Sequence, residues 1–416
     1  MFRILYILLL FFPLTANAQF AVSFSSSVRS PQMVLNSVWS DPPVMQLGSD
    51  DVITFSFDEM SHTYKRYICR ITHRNSDWTK SDLIEIDYLN GFNDMPIEDW
   101  ENSVNTTQLY THYSFTIPNE NVSLKLSGNY RVEIFDDELP DEKPVLHYDF
   151  SVVETKVGIG AEVSGDTDRS LNDGEQQLSF VVDYSRNQVF SPASELKPVI
   201  YQNRRRHSVV SGIKPTYITA NRAEYVHNSK LIFDAGNEYR RFEITDPDSP
   251  GMNVEEVLYD EPDYHAVLYM DKVRNSHSNY RDENGMFYVN TLEGYGSPIE
   301  ADYVYVHFAL GAPYRKGGNY YLVGDFCSAG FNTLDMLDYD YENGYYFTSK
   351  LLKLGLYNYL YAWLPDGTSK PLYSFSEGNW YNTENEYMIY VYHRAFGERY
   401  DRLVGFHVIR YSLERN

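Results

Sequence analysis

The sequence predicts an all-β protein made of tandem antiparallel β-sandwiches. Two stretches near the C-terminal end lead to this prediction, YNYLYAW (357–363) and EYMIYVYHR (386–394), which are rich in aromatic and β-branched residues and bounded by turn signals. Helical periodicity is also nearly absent along the chain. Because successive residues of a strand face opposite sides, tyrosines at both parities place aromatic rings on both faces of these strands. The pattern favours binding architecture over a catalytic site.

The start of the chain predicts export. Residues 1–3 form a short basic start, residues 4–14 are an apolar run too short to span a bilayer, and residues 16–18 (Ala-Asn-Ala) match a cleavage pattern. We therefore expect residues 1–18 to be a signal peptide and the mature chain to begin at Gln19. The later sequence has no apolar run of the roughly 20 residues that a membrane helix needs.

The rest of the chain divides into three strand-rich regions. A length of 416 residues suits about three domains of roughly 100–150 residues each. The linkers VVETKVGIGAEV and GYGSPIEA provide the boundaries, which predict sandwiches at 19–154, 155–298 and 299–416. The long connection at 77–108 in the first region is expected to fold over its sandwich, with partner binding as the alternative.

Composition excludes several partners. The formal charge of 35 − 58 = −23 argues against nucleic acid and against an anionic membrane surface, since both require a basic footprint. A basic partner or simple solubility remains open. The two cysteines, Cys69 and Cys327, fall in different predicted domains, so we expect no disulfide between them.

The sequence predicts no catalytic, cofactor-binding or metal-binding residues and therefore no enzyme. The carboxylates show no acid/base pair of the glycosidase kind, and the acidic runs lack the spacing of a calcium loop. The eleven histidines are scattered without metal-ligand spacing.

Five residues are candidate partner contacts. Arg204, Arg205 and Arg206 form the one basic cluster of an acidic chain, and Trp380 and Tyr381 lie in the turn-rich segment EGNWYNTEN. Interfaces concentrate their binding energy in Trp, Tyr and Arg, so we expect these five side chains to be exposed and to touch a partner. At each position an ordinary loop residue is the alternative. For the GNEYRR segment (236–241), an Arg–carboxylate bond inside a sandwich is the simpler interpretation.

The last region resembles early-set immunoglobulin-like modules of the glycogen-binding type. The resemblance rests on YYLVGDF (320–326), the aromatic-rich middle that follows it, and LKLGLYNYLYAW (352–363). Sugar-binding members carry a tryptophan soon after the first motif, whereas this chain has Cys327-Ser328-Ala329 there. The resemblance thus implies an immunoglobulin-like/early-set fold for the C-terminal sandwich rather than sugar binding.

A second resemblance covers essentially the whole mature chain. The stretches that carry it are YLNGF, the run from NTTQLY to VEIFDD, VIYQNRRRH, DAGNEYRRFEI, DENGMFYVN, ADYVYVHFAL, and TENEYMIYVYHRAFGERYDRLVGF. In this order they are similar to the plug protein family of the type IX secretion system. The resemblance implies a non-catalytic periplasmic protein that is associated with the outer membrane. Its expected partner is the translocon barrel, whose periplasmic opening it would seal when idle. An exported carbohydrate-binding β-sandwich protein is the alternative function.

Overall fold

A computed structural model describes residues 20–23, 25–139, 143–292, 298–328 and 330–412. The predicted signal peptide at 1–18 and the mature start at Gln19 lie outside these residues. Regular structure in the described chain is nearly all β-strand, arranged in several mainly antiparallel sheets, which confirms the predicted fold class of β-sandwiches. A search of the described residues finds no helix with the length and apolar character needed to cross a membrane.

Unit one is the sandwich formed by the first twelve strands. These are β1 (Ala21–Ser23), β2 (Val28–Leu35), β3 (Val44–Gln46), β4 (Ile53–Glu59), β5 (Tyr67–Arg74), β6 (Leu89–Gly91), β7 (Met95–Pro96), β8 (Asp99–Asn102), β9 (Thr111–Ile117), β10 (Val122–Leu124), β11 (Gly128–Asp136) and β12 (Leu146–Val153). One sheet has the order β1-β12-β11-β5-β7 with β3 on β12, and the other has the order β2-β4-β9-β8. Alternate residues such as Phe55, Phe57 and Tyr130 fill the core.

The long connection of unit one folds onto its sandwich, as expected. It contains the helical turn α1 (Glu85–Tyr88) and three short strands. Of these strands, β7 pairs with β5 and β8 pairs with β9, so the connection extends both sheets.

Unit two combines strands from the middle and the end of the chain. The strands of the middle part are β13 (Gly158–Ser164), β14 (Glu175–Asp183), β15 (Leu196–Gln202), β16 (Arg205–Val210), β17 (Tyr217–Ile218), β18 (Arg222–Tyr225) and β19 (Ile232–Asp234), with a helical turn α2 (Pro192–Glu195) and a 3-10 turn (Ser229–Leu231). From the end of the chain, β30 (Glu386–His393) and β31 (Arg402–Arg410) also belong to unit two. The strands between β19 and β30 belong to unit three and are β20 (Arg240–Ile244), β21 (Val254–Asp260), β22 (Asp263–Leu268), β23 (Asp271–Lys272), β24 (Phe287–Val289), β25 (Tyr303–Gly311), β26 (Gly318–Val323), β27 (Asp338–Asp340), β28 (Tyr345–Lys353) and β29 (Gly355–Pro365). The two sheets of unit two are β13-β14-β18-β17, with β19 on β14, and β16-β15-β30-β31.

Unit three is inserted between β19 and β30. Its sheets are β20-β29-β24, with β26 on β29, and β21-β22-β25-β28-β27, with β23 on β25. The pairs β3–β12, β22–β25 and β23–β25 are parallel, and the other named strand pairs are antiparallel.

The pairing differs from the predicted division at residue 298. Strands of the predicted middle domain pair with strands of the predicted C-terminal domain, as in β15–β30, β20–β29 and β22–β25. The predicted C-terminal domain at 299–416 is therefore divided, because β25–β29 belong to unit three and β30–β31 belong to unit two. The physical reason is that local alternation predicts a strand but says nothing about which distant strand completes its hydrogen bonds.

Strand β30 explains why tyrosines occur at both parities. All eight of its residues are buried. Tyr387, Ile389 and Val391 point into the core of unit two, whereas Met388, Tyr390 and Tyr392 form a second cluster with Val153 at the end of β12 in unit one. The aromatic coat of this strand is thus used inside the molecule, where it packs unit two against unit one.

Candidate functional site

The three candidate arginines lie at the hairpin between β15 and β16. Asn203 and Arg204 occupy its two turn positions with φ of 49° and 59°, the left-handed conformation that a tight hairpin requires. The Asn203 carboxamide oxygen accepts a hydrogen bond of 2.8 Å from the backbone N–H of Glu386, which fixes the turn against the start of β30. This anchoring directs three consecutive guanidinium groups toward three different surroundings.

Arg206 reaches into unit one. Its guanidinium donates to the Asp149 carboxylate at 2.5 Å and lies 4.1 Å from the ring centroid of Trp78 and 4.5 Å from that of Phe20. Asp149 also accepts two bonds of 2.7 Å from Arg131. Burial opposes ionisation of Asp149, but Arg206 and Arg131 together lower its pKa to about 2. The carboxylate is therefore ionised and shared between units one and two.

Arg204 and Arg205 complete the junction. Arg204 donates to the backbone carbonyl of Ser40 in unit one and lies 3.0 Å from the sulfur of Met286 in unit three. The Arg205 guanidinium lies 5.0 Å from the ring centroid of Tyr373 in the segment that follows unit three. All three arginines are less than one-tenth exposed, so the prediction that they are exposed is wrong. They are buried because each finds an acceptor or an aromatic face on a neighbouring unit.

Trp380 and Tyr381 are half-buried rather than exposed. They lie in the connection that returns the chain from unit three to β30. The Trp380 backbone N–H donates to the carbonyl of Gly236 at 2.9 Å, and the Tyr381 carbonyl accepts a 2.7 Å bond from the side chain of Gln176. Among the described residues, no hydrogen bond or ion pair joins either side chain to the three arginines. The five predicted residues are therefore not brought together as one site.

A buried ion pair joins units one and three. The Lys353 ammonium lies 2.6 Å from the Asp58 carboxylate, and both side chains are at most 2% exposed. Asp58 also binds His112 and the hydroxyl of Tyr303, each at 2.6 Å. Burial opposes ionisation of Asp58, yet Lys353 and His112 hold its pKa below the usual value. Sequence reasoning missed this pair, although a lysine inside the apolar run LLKLGLY was a usable signal.

A second polar contact joins units one and two. Asp401, in the loop between β30 and β31, accepts a 2.7 Å bond from the Ser76 hydroxyl of unit one and a 2.6 Å bond from Lys197 of unit two. Each unit is thus tied to its neighbours by buried or half-buried charge. The arrangement can hold three sandwiches in one orientation.

Two buried carboxyl groups lie at the crossing between units two and three. Glu238 and Asp282 are 2% and 8% exposed, and their side chains are within hydrogen-bond reach of each other. Glu238 Oε1 accepts bonds from the Glu384 N–H at 2.9 Å and from His277 at 3.1 Å, while its Oε2 has no hydrogen-bond partner among the described residues. Burial and then the charge of Asp282 raise the pKa of Glu238 to about 8, and burial raises that of Asp282 to about 6. The pair therefore holds a proton at neutral pH.

The substitution Glu238→Gln is expected to change the pH dependence of stability. A raised pKa in the folded state means that this group stabilises the protein fully below its unfolded value near 4.5 and loses that contribution as pH rises through about 8. Glutamine keeps a donor toward Asp282 without a titrating proton. Urea denaturation at pH 6, 7.5 and 9 should show wild-type stability falling with pH and the variant falling less. Parallel curves for the two proteins would refute this assignment.

The described residues contain no group of three or more His, Cys, Asp or Glu side chains placed to hold a metal ion. Cys69 and Cys327 are both buried and free. Arg240 binds Glu377 at 3.1 Å and Asp271 at 2.6 Å, which confirms the predicted Arg–carboxylate contact inside a sandwich.

The chain is similar to a known protein family and to a solved structure. A family model described as the type 9 secretion system plug protein 1st domain matches residues 28–154, which span β2 to β12 of unit one. The crystal structure of a hypothetical protein from Parabacteroides merdae is similar over 95% of this chain and 100% of that chain, with 36% sequence identity and a TM-score of 0.91. No curated protein matches the chain.

Proposed function

Because this chain belongs to the plug protein family of the type 9 secretion system, we propose that it binds the periplasmic opening of the outer-membrane translocon barrel and seals it when idle. The family match over residues 28–154 is the observation that carries this proposal. On this proposal the protein is periplasmic, associated with the outer membrane, and acts without catalysis.

The junctions between units support a sealing role physically. A body that closes a wide opening has to keep its shape while one side faces the barrel and the other faces the periplasm. The pairs Lys353–Asp58 and Arg206–Asp149 are both buried and each joins two units. Breaking such pairs is costly, so the relative orientation of the units is strongly favoured. A stiff three-unit body suits a plug better than a string of hinged modules does.

The direct test is co-purification from native outer membranes with a tagged translocon barrel. We expect the wild-type protein to follow the barrel, and a strain without the protein to secrete while its outer membrane admits compounds that are normally excluded. Absence of the protein from the purified barrel would contradict the proposal. Retention on polysaccharide instead would favour an exported carbohydrate-binding protein.

We keep as a proposal that the five predicted residues contact the barrel, and the same assay tests it. Trp380→Ala tests the half-buried pair Trp380 and Tyr381. The triple change of Arg204, Arg205 and Arg206 to alanine removes buried contacts between units, so weaker binding counts as a contact effect only if the melting temperature is unchanged. Binding of both variants at the wild-type level would remove Trp380 and the three arginines from the contact surface.

A further inference from the structure

Four large apolar side chains are exposed in three loops of units one and two. Ile84 is 64% exposed, Ile86 72%, Phe190 78%, and Phe396 is fully exposed. Single exposed apolar residues are ordinary on protein surfaces, whereas a group of them marks an interaction site. The four residues indicate an interaction site only if they lie close together on the surface.

Short contacts bring the three loops that carry these residues to the same place. Phe396 is in the loop between β30 and β31, and Arg399 of that loop binds Asp87 of α1 at 2.8 Å, next to Ile84 and Ile86. On the other side of the loop, the backbone N–H of Arg394 donates to the carbonyl of Glu195 at 3.0 Å. The Glu195 carboxylate in turn accepts a 3.0 Å bond from the N–H of Phe190. We call Ile84, Ile86, Phe190 and Phe396 the apolar end.

Polar contacts hold the apolar end in shape without burying it. The Asp87 carboxylate accepts a 3.2 Å bond from the N–H of Ile84. The loop of Phe396 turns at Gly397, with φ of 89°, and the Ala395 N–H donates to the Glu398 carboxylate at 2.8 Å. Apolar side chains on an already ordered backbone lose little conformational entropy when a partner covers them. This preorganisation is expected of a docking surface.

The charges beside the apolar end indicate the chemistry of the partner. Asp82 and Glu85 are exposed next to Ile84, and within the described chain no ion pair neutralises their carboxylates. The whole protein carries a formal charge of −23. Cations lie on the same surface, because the Arg399 side chain is 56% exposed and Lys125 donates to the Ile86 carbonyl at 2.7 Å. The local charge is therefore mixed, and it is the net charge of the whole protein that disfavours anionic lipid. Apolar sockets on a protein whose rim carries charges of both signs would complement this surface.

We propose that the apolar end docks into apolar sockets on a protein surface whose rim carries charges of both signs, and that on the translocon this surface is the rim of the periplasmic opening. This inference rests on the proposed function for the identity of the partner, but not for the location of the surface. Two units contribute to the apolar end, so docking there also requires the buried contacts that align units one and two.

The test compares two triple variants in the translocon co-purification. One variant carries Ile86→Ser, Phe190→Ser and Phe396→Ser. The matched control carries Leu171→Ser, Tyr341→Ser and Leu334→Ser at side chains that are 74%, 74% and 61% exposed. Leu171 precedes β14 and Phe190 follows it, so this nine-residue strand of roughly 30 Å separates the control site from the apolar end within unit two. Neither variant changes the net charge.

We expect the apolar-end variant to reduce the amount of protein retained on the barrel at least tenfold, and the control to change it less than twofold, because a few central apolar side chains dominate an interface. Both variants should keep the wild-type melting temperature. The single change Phe396→Ser serves as a second measurement, since a fully exposed side chain contributes little to folding, and it should weaken retention several-fold.

The outcomes separate this inference from the proposed function. If wild-type protein does not follow the barrel, the proposed function fails. If it does and the apolar-end variant binds equally well, the function stands and the apolar end is not the docking surface. Flotation with phosphatidylethanolamine–phosphatidylglycerol vesicles tests whether the apolar end binds lipid instead of protein. Wild-type protein that floats with them, and loses this property in the apolar-end variant, would make the surface a membrane contact and overturn the inference.

Discussion

Replacing Asp58 by alanine is expected to lower the free energy of unfolding by about 3–5 kcal/mol, because it leaves the buried Lys353 ammonium without its carboxylate. The lysine is 2% exposed and also donates to the carbonyl of Pro298. His112 and the hydroxyl of Tyr303 lose the same acceptor. Urea denaturation at pH 7 measures the effect.

Two controls make the interpretation specific. The double variant Asp58→Leu/Lys353→Met removes both charges and should be more stable than Asp58→Ala, since uncompensated burial of charge is the dominant cost. Arg222→Ala breaks an exposed pair with Asp183, whose side chains are 62% and 36% exposed, and should cost no more than about 1 kcal/mol. A double variant as unstable as Asp58→Ala would show that side-chain packing rather than charge determines the stability of this junction.

Asp149→Asn is expected to cost about 3–5 kcal/mol at neutral pH, because two arginines from two units share this carboxylate and lose its charge together. It should also remove part of the acid sensitivity of the protein. The pKa of Asp149 is lowered to about 2 in the folded state, so its contribution is present above the usual value near 3.8 and is lost as pH falls toward 2.

Denaturation curves between pH 2.5 and pH 6 provide the measurement. The wild-type protein should lose stability steeply below pH 4, and Asp149→Asn should lose less over the same interval although it starts lower. Arg206→Met is the companion change that leaves the Arg131 pair intact and should therefore cost less than Asp149→Asn. If Asp149→Asn loses as much stability as the wild-type protein when the pH falls over this interval, other carboxylates determine the acid sensitivity.

The candidate arginines show how a basic cluster that is visible in the sequence can be predicted as exposed although the fold buries it. A run of three arginines in a chain of charge −23 is visible in the sequence, and so is its place at a turn. Their burial depends on Asp149, Ser40, Met286 and Tyr373, which come from separate parts of the chain. No local rule connects position 206 with position 149, so an isolated turn of arginines is read as a solvated surface.

The apolar end was missed for the opposite reason. Ile86, Phe190 and Phe396 are each one apolar residue in a polar loop, and single residues of this kind carry no signal in a sequence. Their significance comes from the Arg399–Asp87 and Arg394–Glu195 contacts, which place three distant loops side by side. Surface clusters assembled from distant loops are a property of the fold.

The sequence by itself determined the fold class, because strand formation follows from alternation, β-propensity and turn residues that act over a few positions. It also predicted the family, and a model of the first domain of that family matches residues 28–154. Only the tertiary structure decided that β30 joins β15 and that unit three is inserted between β19 and β30. It alone decided which charges are buried in pairs. The physical reason is that a strand ladder and a buried ion pair are satisfied by groups far apart in the chain, and short-range patterns do not specify such partners.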